Sequence, residues 1–181
     1  MPYGFKEFSM DGYESILNRR SVRAYSDRKV SDDIIDKIAL AGAYAPSGMG
    51  RQPGRIIVIK DKALRDKLEV MNAEVMGDKS KKPFYGAPHV IAVLADRSAP
   101  TYLYDGALIM GNLMNAAHSL GVSSCWIHRA KEIFNKDEGK AILQDLGIAG
   151  DYEGIGFCIL GYPEGDVPPA KARKEDYIVY A

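Results

Sequence analysis

Cysteine is scarce in this sequence: Cys125 and Cys158 are the only two, and each sits inside an apolar run. The pair reads as reduced core residues of a cytosolic protein rather than as a disulfide framework or a reactive thiol. Histidine is nearly as rare. His89, His118 and His128 stand far apart, with no cysteine or carboxylate at metal-ligand spacing, which argues against a metal site. No Gly-x-Ser-x-Gly elbow and no P-loop occurs, so hydrolase and kinase readings have no support. Charge of either sign is not in excess: Lys plus Arg and Asp plus Glu number 24 each. Such a chain has no long-range field to draw it to nucleic acid or to an anionic membrane. No apolar run reaches the roughly 18 residues of a membrane span. The stretch Met1 to Phe8 lacks the basic start and apolar core of a signal peptide, so a cytoplasmic protein is expected.

What is present is the pattern of one mixed domain over residues 1–181, long enough for a sizeable core and too short for two ordinary domains. Helical and strand patterns alternate along it. Asp11 and Glu14 resemble a capping box opening a helix through about Arg20, and Ser31 is a second N-cap, followed by a stripe of Ile34, Ile35, Ile38 and Ala41. Ile56 to Ile59 and Val90 to Leu94 read as buried strands, separated by a helix with Leu64, Leu68 and Met71 inward. Leu103 to Leu120 reads as a helix too apolar for a surface, stopped by Gly121. A helix from about Asp137 to Leu146 precedes a strand from Gly156 to Leu160, and the terminal Tyr177 to Tyr180 is β-prone.

Three stretches carry candidate chemistry. Arg19-Arg20-Ser21-Val22-Arg23 places three guanidinium groups and a hydroxyl in five residues. Arg holds a phosphate bidentately through its planar fork, although basic residues at a helix end also simply oppose the negative end of the dipole. Ala45 to Pro53 contains Gly48-x-Gly50, but Pro53 stands where a dinucleotide fingerprint needs its third glycine, and no strand precedes it. It reads as a rigid loop able to bring backbone donors and the Gln52 amide to a flat ligand, or as an ordinary connection. Near the end, Lys171 and Arg173 point to one side of an extended chain, in a segment that otherwise reads as a solvated tail.

Taken in order, with Asp105-Gly106-Ala107, Ala116 to Gly121 and Val122 to Arg129, these stretches resemble the FMN-dependent nitroreductase family from about residue 12 to the end. The resemblance implies an α+β, three-layer fold in which a central, mostly antiparallel β-sheet is flanked by helices. It also implies a homodimer with an exchanged C-terminal tail and FMN at the subunit interface. It implies that Arg19, Arg20, Ser21 and Arg23 hold FMN, with Lys171 and Arg173 closing on its phosphate. The loop with Pro46, Ser47, Gly48, Met49 and Gln52 would come from the partner subunit. Trp126, Ile127, His128 and Arg129 would pass the flavin ring near its reactive nitrogen and pyrimidine edge. One departure is Gly50, where many members carry Asn.

The implied activity is that of an FMN-dependent oxidoreductase. NADH or NADPH reduces it, and a small electron-poor acceptor such as a nitroaromatic or quinone reoxidises it by a ping-pong scheme. Two alternatives stay open on the sequence: another flavin reaction on the same fold, such as dehalogenation or enoate reduction, and a flavin-binding redox sensor or carrier without turnover.

Overall fold

The computed structural model describes residues 11–181, so the expectation drawn from Met1 to Phe8 lies outside the described residues. The elements, in chain order, are α1 (Gly12–Asn18), α2 (Asp32–Ala43), β1 (Gly54–Ile59), α3 (Lys62–Val75), β2 (His89–Asp96), α4 (Tyr102–Ser119), β3 (Ser123–Ile127), α5 (Ala130–Asn135), α6 (Asp137–Asp145) and β4 (Tyr152–Gly161). Among the described residues no helix is long and apolar enough to cross a membrane.

The four strands form one antiparallel sheet in the order β1-β2-β4-β3. Side chains alternate across it with the period of two that a pleated strand imposes. Val90, Ala92, Leu94, Ile127, Phe157 and Ile159 face one core, with Leu68 and Met71 of α3 and Ile133, Ile142 and Leu143 of α5 and α6. Ile91, Val93, Cys158 and Leu160 face a second core, with Ile35 and Ile38 of α2 and Ile109, Met110 and Leu113 of α4. The expected three-layer arrangement is therefore present, with apolar contacts on both faces of the sheet. α2 and α4 approach closely because position 42 is glycine: a Cβ there would come within 2.6 Å of Leu113.

Several local readings differ from the sequence expectation. Asp11 does cap α1, its carboxylate accepting from Tyr13 N–H at 3.1 Å, but Glu14 accepts from Asn18 instead of closing a capping box. The helix stops at Asn18, two residues early, because the next segment is drawn out to pair with the sheet: Ser21 bridges Ser124, and Val22 N–H donates to Ser124 O at 3.1 Å. β1 lies at a sheet edge, so Ile56 to Val58 are only half-buried. β4 begins at Tyr152, earlier than the expected Gly156. Gly154 and Gly156 are glycine because a Cβ would meet Ala130 backbone at 2.4 Å and the Trp126 indole at 2.3 Å respectively. α4 is not buried all round: Ile109, Met110, Leu113 and Ala117 are inside, whereas Leu103, Tyr104 and Leu108 are exposed. Tyr177 to Tyr180 form no strand in the single chain and are exposed.

One core tie is sensitive to pH. His89, at the start of β2, accepts a hydrogen bond from Val30 N–H at 3.1 Å, which requires a neutral ring nitrogen. Burial holds its pKa below the ordinary 6.5, against a smaller opposing pull from Asp32, and His118 is lowered in the same direction. The unfolded chain therefore takes up protons first as pH falls. Stability is full above about pH 6.5 and declines below it until the folded histidines also protonate. Thermal melts of the FMN-free protein should show a lower midpoint at about pH 5.5 than at about pH 7.5. His89→Gln, which keeps an acceptor without the titration, should remove part of that slope. An unchanged slope in the variant would refute the assignment.

Candidate active site

The basic stretch leaves α1 and runs beside β3, at the sheet edge farthest from β1. Arg20 folds back, its Nη1 donating to Leu17 O and Arg19 O, each at 2.8 Å. Four polar atoms in this corner are buried without a partner: Arg19 Nη1, Arg20 Nε, His118 Nε2 and Ser124 Oγ. Burial, and after it the charges of Arg19 and Arg20, keep the pKa of His118 low. A buried donor with no acceptor is rare in a folded protein, and a buried guanidinium atom is among the most expensive to leave unpaired. Cationic and hydroxyl donors gathered this way match an anion with several acceptor oxygens. Arg23, at the far end of the stretch, is exposed.

β3 leads from Ser124 through half-buried Trp126 and buried Ile127 to exposed His128 and half-buried Arg129. Trp126 and His128 hold their rings 6.1 Å apart at 37°, and the Trp126 indole N–H is also buried without an acceptor. Arg129 sits in the left-handed region, φ 79° and ψ 9°, just before α5. For a residue with a Cβ that conformation costs about 1 to 3 kcal/mol and needs outside support. Support comes from α3, where fully buried Asn72 donates to His128 O at 2.7 Å and receives Arg129 Nη1 at 3.5 Å.

Trp126, His128 and Arg129 line a cavity of about 390 Å³ with Leu103, Lys131 and Glu153. Burial opposes the charge of Glu153, but hydrogen bonds from Lys131 and Arg97 outweigh it and hold the carboxyl below its usual range. The wall thus combines an aromatic face, fixed cations and one fixed carboxylate.

The loop after α2 lies elsewhere. It contains one 3₁₀ turn, Gly48–Gly50. Gly48 N–H donates to buried Asp105 at 2.9 Å, Thr101 donates to the same carboxylate at 2.8 Å, and Ser47 Oγ accepts from Gln52 N–H at 3.0 Å. Met49 and Gln52 have positive φ, and Met49 is 88% exposed. Pro46, Ser47 and Gln52 line a second cavity, of about 250 Å³, with Asp105 and Ile109. The first turns of α4 separate the two cavities, since Leu103 and Ala107 border the first and Asp105 and Ile109 the second. The loop also feeds β1, three inter-strand steps of about 4.8 Å each from β3.

Lys171 and Arg173 are exposed, and Arg173 Nη1 donates to Lys171 O at 3.1 Å. Among the described residues no hydrogen bond or ion pair joins them to Arg19–Arg23. One chain therefore unites Arg19, Arg20 and Ser21 with the strand that ends at Trp126 to Arg129. It leaves the 46–52 loop and the 171–173 pair apart from them.

Sequence reasoning missed Asn72, Glu153 and Asp105 as groups that shape these cavities. Asn72 stands within an ordinary amphipathic helix and Glu153 before a glycine, so neither has a local signature. Asp105 offered one usable signal, a carboxylate in the first turn of an otherwise apolar helix.

The Nitroreductase family model matches residues 16–163. A protein of Archaeoglobus fulgidus, named as a candidate NADH dehydrogenase/NAD(P)H nitroreductase, is 32% identical over 157 residues, covering 83% of this chain and 84% of its own. The crystal structure of a nitroreductase with bound FMN from Bacteroides fragilis is similar with a TM-score of 0.86 at 28% identity, covering 95% of this chain and 99% of that one. A nitroreductase with bound FMN from Desulfitobacterium hafniense gives 0.82 at 28% identity, covering 94% and 97%. With the family model spanning most of its length, this chain belongs to the nitroreductase family.

Proposed function

We propose that this protein is a single-domain, FMN-dependent oxidoreductase that uses NADH or NADPH to reduce nitroaromatics, quinones or similar electron-poor acceptors. The observation that carries the reading is the corner of unpartnered donors at Arg19, Arg20, His118 and Ser124, which fits the phosphate of FMN. When bound, FMN supplies the two-electron chemistry, and no nucleophile is required of the protein. Arg19, Arg20, Ser21 and Arg23 hold the cofactor, and Trp126, Ile127, His128 and Arg129 border its ring. Arg129 at the rim of the cavity favours negative charge there, while Lys131 is paired with Glu153 at 3.0 Å. One cavity serving both substrates in turn gives ping-pong kinetics.

The chain acts as a homodimer in this reading. The separation of the 46–52 loop from its own chain's Trp126–Arg129 cavity supports a site completed by Pro46, Ser47, Gly48, Met49 and Gln52 of a second copy. The exposed Leu103, Tyr104 and Leu108 of α4 and the exposed tail at Tyr177 to Tyr180 supply apolar surface for that contact. Lys171 and Arg173 then close on the phosphate as the tail is drawn in. The protein should purify yellow, and heat release followed by chromatography should give FMN. Steady-state oxidation of NADH or NADPH should proceed with a nitroaromatic acceptor. Recovery of FAD alone, or of no flavin after reconstitution, would overturn the cofactor assignment, and bound FMN without turnover would favour a carrier.

A further inference from the structure

Asn72 is out of place for an amphipathic helix. It lies on the inner face of α3 with Leu68, Met71 and Ala73, fully excluded from solvent. A buried amide among apolar neighbours is unfavourable unless its hydrogen bonds are made, and an apolar side chain of similar size would serve packing better. Both of its recorded bonds go to one place, the turn of His128 and Arg129, more than fifty residues away in sequence. In a trans peptide the C=O of one residue and the N–H of the next point in opposite directions. By holding His128 O at 2.7 Å, Asn72 turns the Arg129 N–H away from α3. The second contact, Arg129 Nη1 to Asn72 Oδ1, steadies the side chain of the residue that bears the left-handed conformation.

We infer that Asn72 is a positioning residue: it fixes the left-handed Arg129 turn so that the peptide between His128 and Arg129 presents its N–H at the cavity bordered by Trp126. The inference rests on the reading that this cavity takes the flavin, but its structural half is testable without any cofactor.

The key variant is Asn72→Leu, which keeps volume and removes both bonds. In FMN-free protein, hydrogen exchange at the amide of Ile133, which donates to Arg129 O at 3.0 Å, should accelerate about tenfold as the turn loosens, the weight of one buried hydrogen bond. The fluorescence of Trp126, the chain's only tryptophan, should shift with it. In FMN-loaded protein the dissociation constant should rise about tenfold, and the flavin midpoint potential should move. Arg129→Gly supplies the decisive cross-check, because glycine adopts the left-handed turn unaided. In that background Asn72→Leu should change the FMN dissociation constant by less than about twofold. Should the leucine variant fail to fold, Asn72→Asp keeps the shape and the acceptor for Arg129 but loses the donor to His128 O, and it should show the same faster exchange. Unchanged exchange at the Ile133 amide in a folded Leu or Asp variant overturns the inference, as does an equal effect with and without Arg129→Gly. A wild-type chain that binds no flavin, yet whose Asn72 variants exchange faster, would sink the cofactor reading and leave the positioning role standing.

Discussion

Arg19→Ala is expected to raise the FMN dissociation constant about 10-fold to 150-fold while leaving riboflavin binding close to that of the parent. The estimate is the loss of one charge-assisted hydrogen bond, roughly 1.5 to 3 kcal/mol, to a group that is nearly dianionic. Arg19 is the sharpest probe because its Nη1 is already buried and unpartnered in the folded chain, so little rearrangement precedes binding. Arg173→Ala should act in the same direction. Its exposed side chain must first be drawn in from the tail. Riboflavin lacks the phosphate, and a variant that merely damaged the fold would weaken both ligands. Arg51→Ala, exposed on the 46–52 loop but outside the proposed clamp, is the control. Titrations in which Arg19→Ala and Arg51→Ala hold FMN equally well would remove the clamp.

A large effect on stability is expected from Gly154→Ala. The added Cβ would lie 2.4 Å from both the carbonyl carbon and the oxygen of Ala130 and 2.8 Å from Lys131 N. These are backbone atoms of the first turn of α5, with no rotamer to move out of the way. Overpacking of this kind costs about 3 kcal/mol or more, which in a domain of this size lowers the melting temperature by roughly 6 to 12 °C. Ala130 directly follows Arg129, so a displaced α5 also disturbs the cavity rim, and FMN affinity should fall together with stability. Gly12→Ala is the matched comparison, since nothing lies within 4 Å of a Cβ there. A Gly154→Ala melting temperature within about 2 °C of the parent would show that α5 sits more loosely against β4 than described.

The layers of the fold were legible in the sequence wherever one residue type carries one physical meaning. The run from Val90 to Leu94 is apolar on both sides because both faces of β2 are covered, and its strand follows directly. The Ile35 and Ile38 stripe likewise fixed the inner face of α2. Errors arose where local and tertiary meanings compete. Gly154 falls before the strand expected from Gly156 onward, yet it lies within β4 and is small because a helix turn presses on the strand. The end of α1 moved to Asn18 because the edge of β3, distant in sequence, pairs with Ser21 and Val22. Of the candidate site, the basic stretch and the Trp126 to Arg129 segment were readable as motifs. Asn72 was not, since its role depends on a contact across 56 residues that leaves no trace in its neighbours.

The strand order has a consequence for how the chain folds as it is made. β4, the last strand in sequence, occupies an interior position between β2 and β3. Until it emerges during synthesis, β2 has one neighbour and one open edge, and β3 has only the bridge from Ser21. Pairing β2 with β4 joins Asp96 to Tyr152 at one end and His89 to Leu160 at the other, so the step that completes the sheet must close a loop of more than fifty residues. Contacts of that separation form slowly, and open apolar edges invite pairing with other chains in the interval. The growing chain can thus prepare its helices and the β1–β2 pair in advance, but both cores close together, late, when one strand is inserted between two that are waiting for it.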